Sequence, residues 1–150
     1  MQIAFKVQGL KEIVQRCQAF NEHAPELIQE KILESVQENV VPISKALAPK
    51  KTGKLVASIE AVAGEIPSVL LQADKFYAPF LEYGTTAHLI ESSSAKALHW
   101  TKGGQDFFAK RVLNPGIPFG KFTFLEPALQ EGIEAVFKDI EQLMIQILQE

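Results

Sequence analysis

Among the residues that could do chemistry, the histidines come first. His23, His88 and His99 are scattered along the chain. There is no His-Glu-x-x-His and no Cys-x-x-Cys, so their spacing spells no zinc site. His88 and His99 would have to converge with Glu82 or Glu91 to form a metal or acid–base centre. The plainer alternative is a set of loop and strand-surface histidines. No Gly-x-Ser-x-Gly marks a serine nucleophile. Cys17, the only cysteine, falls on the apolar side of a helical repeat, which suits a small core residue better than a reactive thiol. Gly103-Gly104 belongs to neither phosphate-binding glycine pattern. Lys50, Lys51 and Lys54 surround a turn. They could meet phosphate, although three lysines around a turn are ordinarily just solvated. Trp100, Phe107 and Phe108 could stack on bases, but core packing is their plainer use. No catalytic residue, cofactor or metal is expected.

Bulk composition narrows the classes further. The chain has 150 residues, which predicts one domain spanning 1–150 with its own core. It is 47% hydrophobic and 22% charged, an ordinary globular balance that argues against disorder. The formal charge is −3, whereas a generic nucleic-acid binder is more often basic. Residues 112–150 hold two basic and six acidic groups, net −4, so the acidity is concentrated in the last quarter. An acidic helix there is ordinarily a solvated face, with electrostatic docking as the alternative. One cysteine allows no internal disulfide framework. The first residues lack the apolar core of a signal peptide, and no apolar run is long enough to span a membrane. The expectation is a soluble protein of a reducing compartment.

The elements that must position these residues follow from periodicity. Ile3, Phe5 and Val7 alternate with Gln2, Ala4 and Lys6, the pattern of a short strand that Gly9 ends. Leu10, Ile13, Val14 and Cys17 then predict a helix reaching to near Phe20. Pro25 favours the start of a second helix. Its stripe is Ile28, Ile32, Val36, Val40, Ile43 and Leu47, with Glu26, Glu30, Glu34 and Glu38 on another face. Pro42 leaves the carbonyl of Glu38 without a helical partner, so a kink is expected there. Residues 48–53 read as a loop. Leu55–Ala63 and Ser68–Ala73 read as strands, 87–95 as loop, and Ala97–Thr101 with Phe107–Leu113 as a hairpin. Asn114-Pro115-Gly116 is a turn, and Phe122–Leu125 is short and extended. Pro127 is expected to start a last helix. Its broad apolar face runs through Leu129, Ile133, Val136, Phe137, Ile140, Leu143, Met144, Ile147 and Leu148, most of it needed for the chain's own core. The fold class is α+β, an antiparallel or mixed sheet packed against long N-terminal and C-terminal helices.

Four segments stand out by order and spacing. The first is Pro49-Lys50-Lys51-Thr52-Gly53-Lys54-Leu55 leading into Ser58-Ile59. The second is Tyr77-Ala78, followed by Glu82-Tyr83-Gly84-Thr85. The third is Pro115-Gly116 and the fourth Phe124-Leu125-Glu126-Pro127-Ala128-Leu129. Thr52-Gly53 has the chemistry of a turn. Glu82 sits among apolar and aromatic neighbours. It could accept backbone N–H groups and hold the loop after it, make an inter-subunit salt bridge, or act in catalysis. In register, the four segments resemble the head–tail joining, or tail-completion, family of long-tailed bacteriophages, over residues 40–130. That resemblance implies a non-catalytic virion protein of the neck. It implies a homo-oligomeric ring, closed by a repeated heterologous contact, that meets other phage neck and tail proteins. The host cytoplasm during assembly and then the virion neck would be its locations. DNA contact would not be required. A monomer or weak oligomer is expected when the protein is free, with loops 48–54, 84–96 and 114–122 as docking surfaces. The rival readings are a small enzyme using His88, His99 and Glu82, and a nucleic-acid-binding module using Lys50, Lys51 and Lys54 with Trp100.

Overall fold

The computed structural model describes residues 1–4, 10–18, 22–94 and 96–149. The expectations for Phe5, Val7, Gly9, Phe20 and Ala95, and for the side chain of Cys17, fall outside them. The chain opens with β1 (Gln2–Ala4) and α1 (Leu10–Gln18). Pro25 lies in the first turn of α2 (Ala24–Asn39), where its missing N–H removes no helical bond. Ile28, Ile32, Val36 and Val40 are buried, and the four glutamates of the other face are exposed.

The expected single kinked helix is instead two helices. The first ends at Asn39, and α3 runs Val41–Leu47. Pro42 gives Glu38 no N–H, so the ladder breaks there. Val40 still donates to Val36, and Ser44 donates to Val40, each at 3.0 Å, so the interruption is one residue long. Past it the buried positions are Val41 and Ser44, while Ile43 is half-buried and Leu47 exposed. The apolar stripe therefore does not continue to Leu47.

A second correction concerns Leu55–Ala63. Lys54–Ala57 is one helical turn, α4, and the strand β2 begins only at Ile59 and runs to Ala63. Gly53, at φ 73°, accepts the Ala57 N–H, and Ser58 Oγ and N–H both return to the Leu55 carbonyl. That turn places Leu55 in the core. The next strand, β3 (Val69–Ala73), buries Val69, Leu71 and Ala73 in strict alternation. The sheet is antiparallel in the order β1-β3-β2. Gln29 of α2 donates to the carbonyls of Gly64 and Ser68, at 3.0 and 2.8 Å, and so holds the β2–β3 turn on the helix.

The next elements are α5 (Ala78–Glu82), β4 (His88–Glu91), β5 (Leu98–Lys102), β6 (Gln105–Ala109) and β7 (Arg111–Asn114). The hairpin across Gly103-Gly104 forms as expected, both glycines having positive φ. Its second strand is shorter than expected, because the chain leaves β6 at Lys110 and pairs β7 with β4. Residues 87–95, expected as loop, therefore contain a strand. Every residue of β4 is exposed, so it lacks the alternation that marks a half-buried strand. These two ribbons pack chiefly each on its own partner strand.

Residues 122–124 form no strand, and α6 runs Leu125–Gln149, starting two residues before Pro127. It packs on α2 and α3. Its buried strip is Leu125, Ala128, Gly132, Val136 and Ile140. Five of the nine residues expected on a broad buried face are only half-buried, namely Leu129, Ile133, Leu143, Met144 and Ile147. Phe137 and Leu148 are exposed, as is Ile145. The core uses a strip narrower than the apolar face because α2 and α3 are the helices that cover it. Ser35 Oγ donates to Asp139 Oδ2 at 2.5 Å, a polar tie between the two helices.

The helices touch backbone to backbone at Gly132. A Cβ there would lie 2.8 Å from Val40 Cγ2 and 3.0 Å from the Asn39 carbonyl oxygen. Alanine in place of glycine ordinarily stabilises a helix interior by about 1 kcal/mol. Here the sign reverses, and Gly132→Ala should cost about 1–3 kcal/mol by overpacking. Urea unfolding measures it, and a gain in stability would contradict this crossing.

Candidate functional site: a buried carboxylate and a backbone bridge

Glu82 ends α5, which Pro79 opens and whose last turn closes when the Tyr83 N–H bonds the Pro79 carbonyl. Ala78 on the same turn is fully buried, and the carboxyl of Glu82 has no solvent exposure at all. It is fully occupied nonetheless. Oε2 accepts the N–H of Phe124 at 2.9 Å and of Leu125 at 3.2 Å, and Oε1 accepts the N–H of Glu126 at 2.9 Å. These are first-turn donors of α6, which the helix itself cannot satisfy. A negative group at a helix start also meets the positive end of its dipole. The sequence expectation that Glu82 accepts backbone donors matches this geometry. The segment held is the start of α6, forty-two residues along the chain, and not the adjoining loop.

The residues after Glu82 tie in the third segment. Thr85 and Ile117 form an isolated antiparallel bridge, with N–H···O distances of 2.9 and 3.1 Å. Thr85 Oγ1 also accepts the Ile117 N–H at 3.0 Å. Gly84 has φ 75° and Gly116 φ 77°. A Cβ on Gly84 would run into the Ile117 carbonyl oxygen and come within 3.0 Å of Phe119 N. One on Gly116 would strike the Thr85 carbonyl and come within 2.8 Å of Thr86. Two backbones cross here with no room for side chains, and only glycine meets both demands. Asn114 Oδ1 accepts the Gly116 N–H at 2.9 Å and shapes the turn around Pro115.

Segment two is thus bonded directly to segment four through Glu82, and through Thr85 to Ile117, the residue that follows segment three. The first segment joins them only through the shared core, which Leu55, Ile59 and Ala78 enter. Within that segment Pro49 is half-buried, Thr52 is exposed, Gly53 opens α4 and Ser58 closes it. Tyr77 is half-buried against the core, Pro115 is exposed, and Pro127 is the half-buried third residue of α6. Sequence reasoning missed Ile117 as the partner of Thr85, and Phe124, fully buried at the head of α6. The only signal for Phe124 was its place in a segment that also holds Leu125 and Pro127.

The rival sites are dispersed. His88 lies on β4, with Nδ1 3.2 Å from the Thr86 carbonyl. His99 lies on β5, with Nε2 3.0 Å from Asp106 Oδ1. Bonds from Thr101 and then His99 hold the Asp106 carboxyl below its usual range. Glu82 is spoken for by three backbone donors. Among the described residues no three His, Cys, Asp or Glu side chains gather as metal ligands. Lys50, Lys51 and Lys54 are all exposed, around the loop into α4 and not on the ribbon that bears Trp100. Among the described residues no helix is long and apolar enough to cross a membrane. No family model, curated protein or solved structure matches the chain.

Proposed function

We propose that this is a structural protein of a bacteriophage virion, placed in the neck, where several copies form a ring that completes or joins the tail. The observation that carries the reading is that Glu82-Tyr83-Gly84-Thr85 is bonded to two distant segments, by Glu82 to Phe124-Leu125-Glu126 and by Thr85 to Ile117 beside Pro115-Gly116. The residues that carry the family resemblance spend their polar groups on holding backbone. That is the work of a building block, whose function is shape. Other neck and tail proteins are the partners, and assembly takes place in the host cytoplasm. DNA passing through the neck need not be touched.

Disrupting the gene in the phage or lysogen that encodes it tests this. Electron micrographs of the lysate should show filled heads and separate tails, and a plasmid copy should restore joined virions. Joined virions in normal yield from the disrupted strain would end the neck reading.

A further inference from the structure

The described surface carries two exposed apolar regions that differ in charge. One is the pair of ribbons, whose exposed side chains are spread over more than one face. Trp100 stacks on Phe107, with ring centroids 5.6 Å apart, and His99 stacks on Phe108 at 4.6 Å. Register puts the two stacks on opposite faces of the β5–β6 ribbon. Phe108 is 69% exposed, and Leu113 beside Leu89 on the other ribbon is 65% exposed. Over residues 88–114, Lys96, Lys102, Lys110 and Arg111 outnumber Glu91 and Asp106, with Glu91 directly opposite Arg111. A two-stranded ribbon is at best marginally stable alone in water. These two pack chiefly on themselves, so cover from outside would stabilise them.

The second patch is the outer side of α6. Glu131, Glu134, Phe137, Glu141, Ile145 and Leu148 recur there at helical spacing, all exposed, and Lys138, the one basic residue of the helix, lies on the same side between Glu134 and Glu141. Its inner strip is already used against α2 and α3. An acidic stripe with three large apolar side chains is what a basic aromatic ribbon would choose, since complementary potentials steer and orient association.

We propose that the ribbons of one copy dock on the outer face of α6 of a second copy. The contact is heterologous, because each chain offers a different surface to each neighbour, and repetition of such a contact gives a ring when the rotation closes. This deepens the neck reading and rests on it for the place where copies gather. From Glu131 to Leu148 the helix face is about 27 Å long. At about 10 Å width it falls well short of the roughly 800 Å² per partner of a standard interface. A single contact is therefore weak, and closure is what secures it.

The test uses the full chain in sedimentation velocity at high protein concentration and low salt. All the altered residues are exposed, where such changes leave stability within about 0.5 kcal/mol; matched melting curves verify this. The wild type should self-associate, and added salt should weaken it. Lys102→Glu with Lys110→Glu should lower the association constant by about a hundredfold. Glu134→Lys with Glu141→Lys should do the same. Mixed together, the two variants should associate again as alternating copies, since each ribbon then meets an α6 of opposite charge on the other variant. All four changes in one chain should restore association. A monomeric wild type, a mixture that does not associate, or association untouched by the reversals would overturn the interface. The two readings fail separately. Association that follows the charges, in a protein dispensable for joined virions, removes the neck and leaves the interface. A protein required for joining whose association ignores the charges does the opposite.

Discussion

Glu82→Ala should destabilise the protein by about 3–5 kcal/mol. Three backbone N–H groups lose their acceptor at once. Those of Phe124 and Leu125 are bonded to Glu82 in a buried setting, and that of Glu126 in a partly buried one. A buried donor left unmade costs about 1–3 kcal/mol. Water cannot readily replace the carboxylate, because the site is sealed under Ala78, Phe124 and Leu125, all with no exposure. For a chain of this length the melting temperature should fall by roughly 10–15 °C. Glu82→Gln separates charge from shape. It keeps one oxygen but turns an amide NH₂ toward the remaining donors, so it should fall between wild type and alanine. An unchanged melting temperature in Glu82→Ala would show that α6 starts without this anchor.

Ending the chain after Glu126 should abolish cooperative folding. The truncation removes Ala128, Gly132, Val136 and Ile140 from the core, and it uncovers the side of α2 on which they pack. Each large apolar side chain taken from the core forfeits about 1.5–3 kcal/mol. Val136 and Ile140, together with newly exposed Val36 and Val40, approach the whole 5–15 kcal/mol by which such domains are stable. The product should be insoluble or should lack a sigmoidal urea transition. A soluble, folded product that had lost only self-association would make α6 an interface element and nothing more.

What the sequence made legible divides along a physical line. Local patterns were readable: the buried stripe through Val40, Pro25 at a helix start, and the turn at Gly103-Gly104. Each rests on spacing within a few residues. The strand β4 was not, because the two-residue period records burial and β4 has none, whereas the equally exposed β5 and β6 were found through the turn between them. The turn α4 was missed because Leu55, Val56 and Ala57 suit a strand by composition, and the hydrogen bonds around Gly53 and Ser58 decide otherwise. Glu82 was readable as an acceptor from its apolar surroundings. Its donors were not, since pairing across more than forty residues leaves no mark in local spacing.

The ribbons carry a consequence for how the molecule breathes. Backbone amides in the central strand β3 and at the head of α6 are shielded by buried side chains, so their exchange with solvent should require nearly global opening. Those of β4 to β7 lie in paired strands with almost no buried residue and can open while the core stays shut. The protein thus has two tiers of local stability. Any partner that grips the paired form of the ribbons must also close them, so part of its binding energy is spent on ordering and its dissociation is faster than the apolar contact alone would give. Such a joint forms and releases easily one copy at a time and becomes lasting only when many are held together.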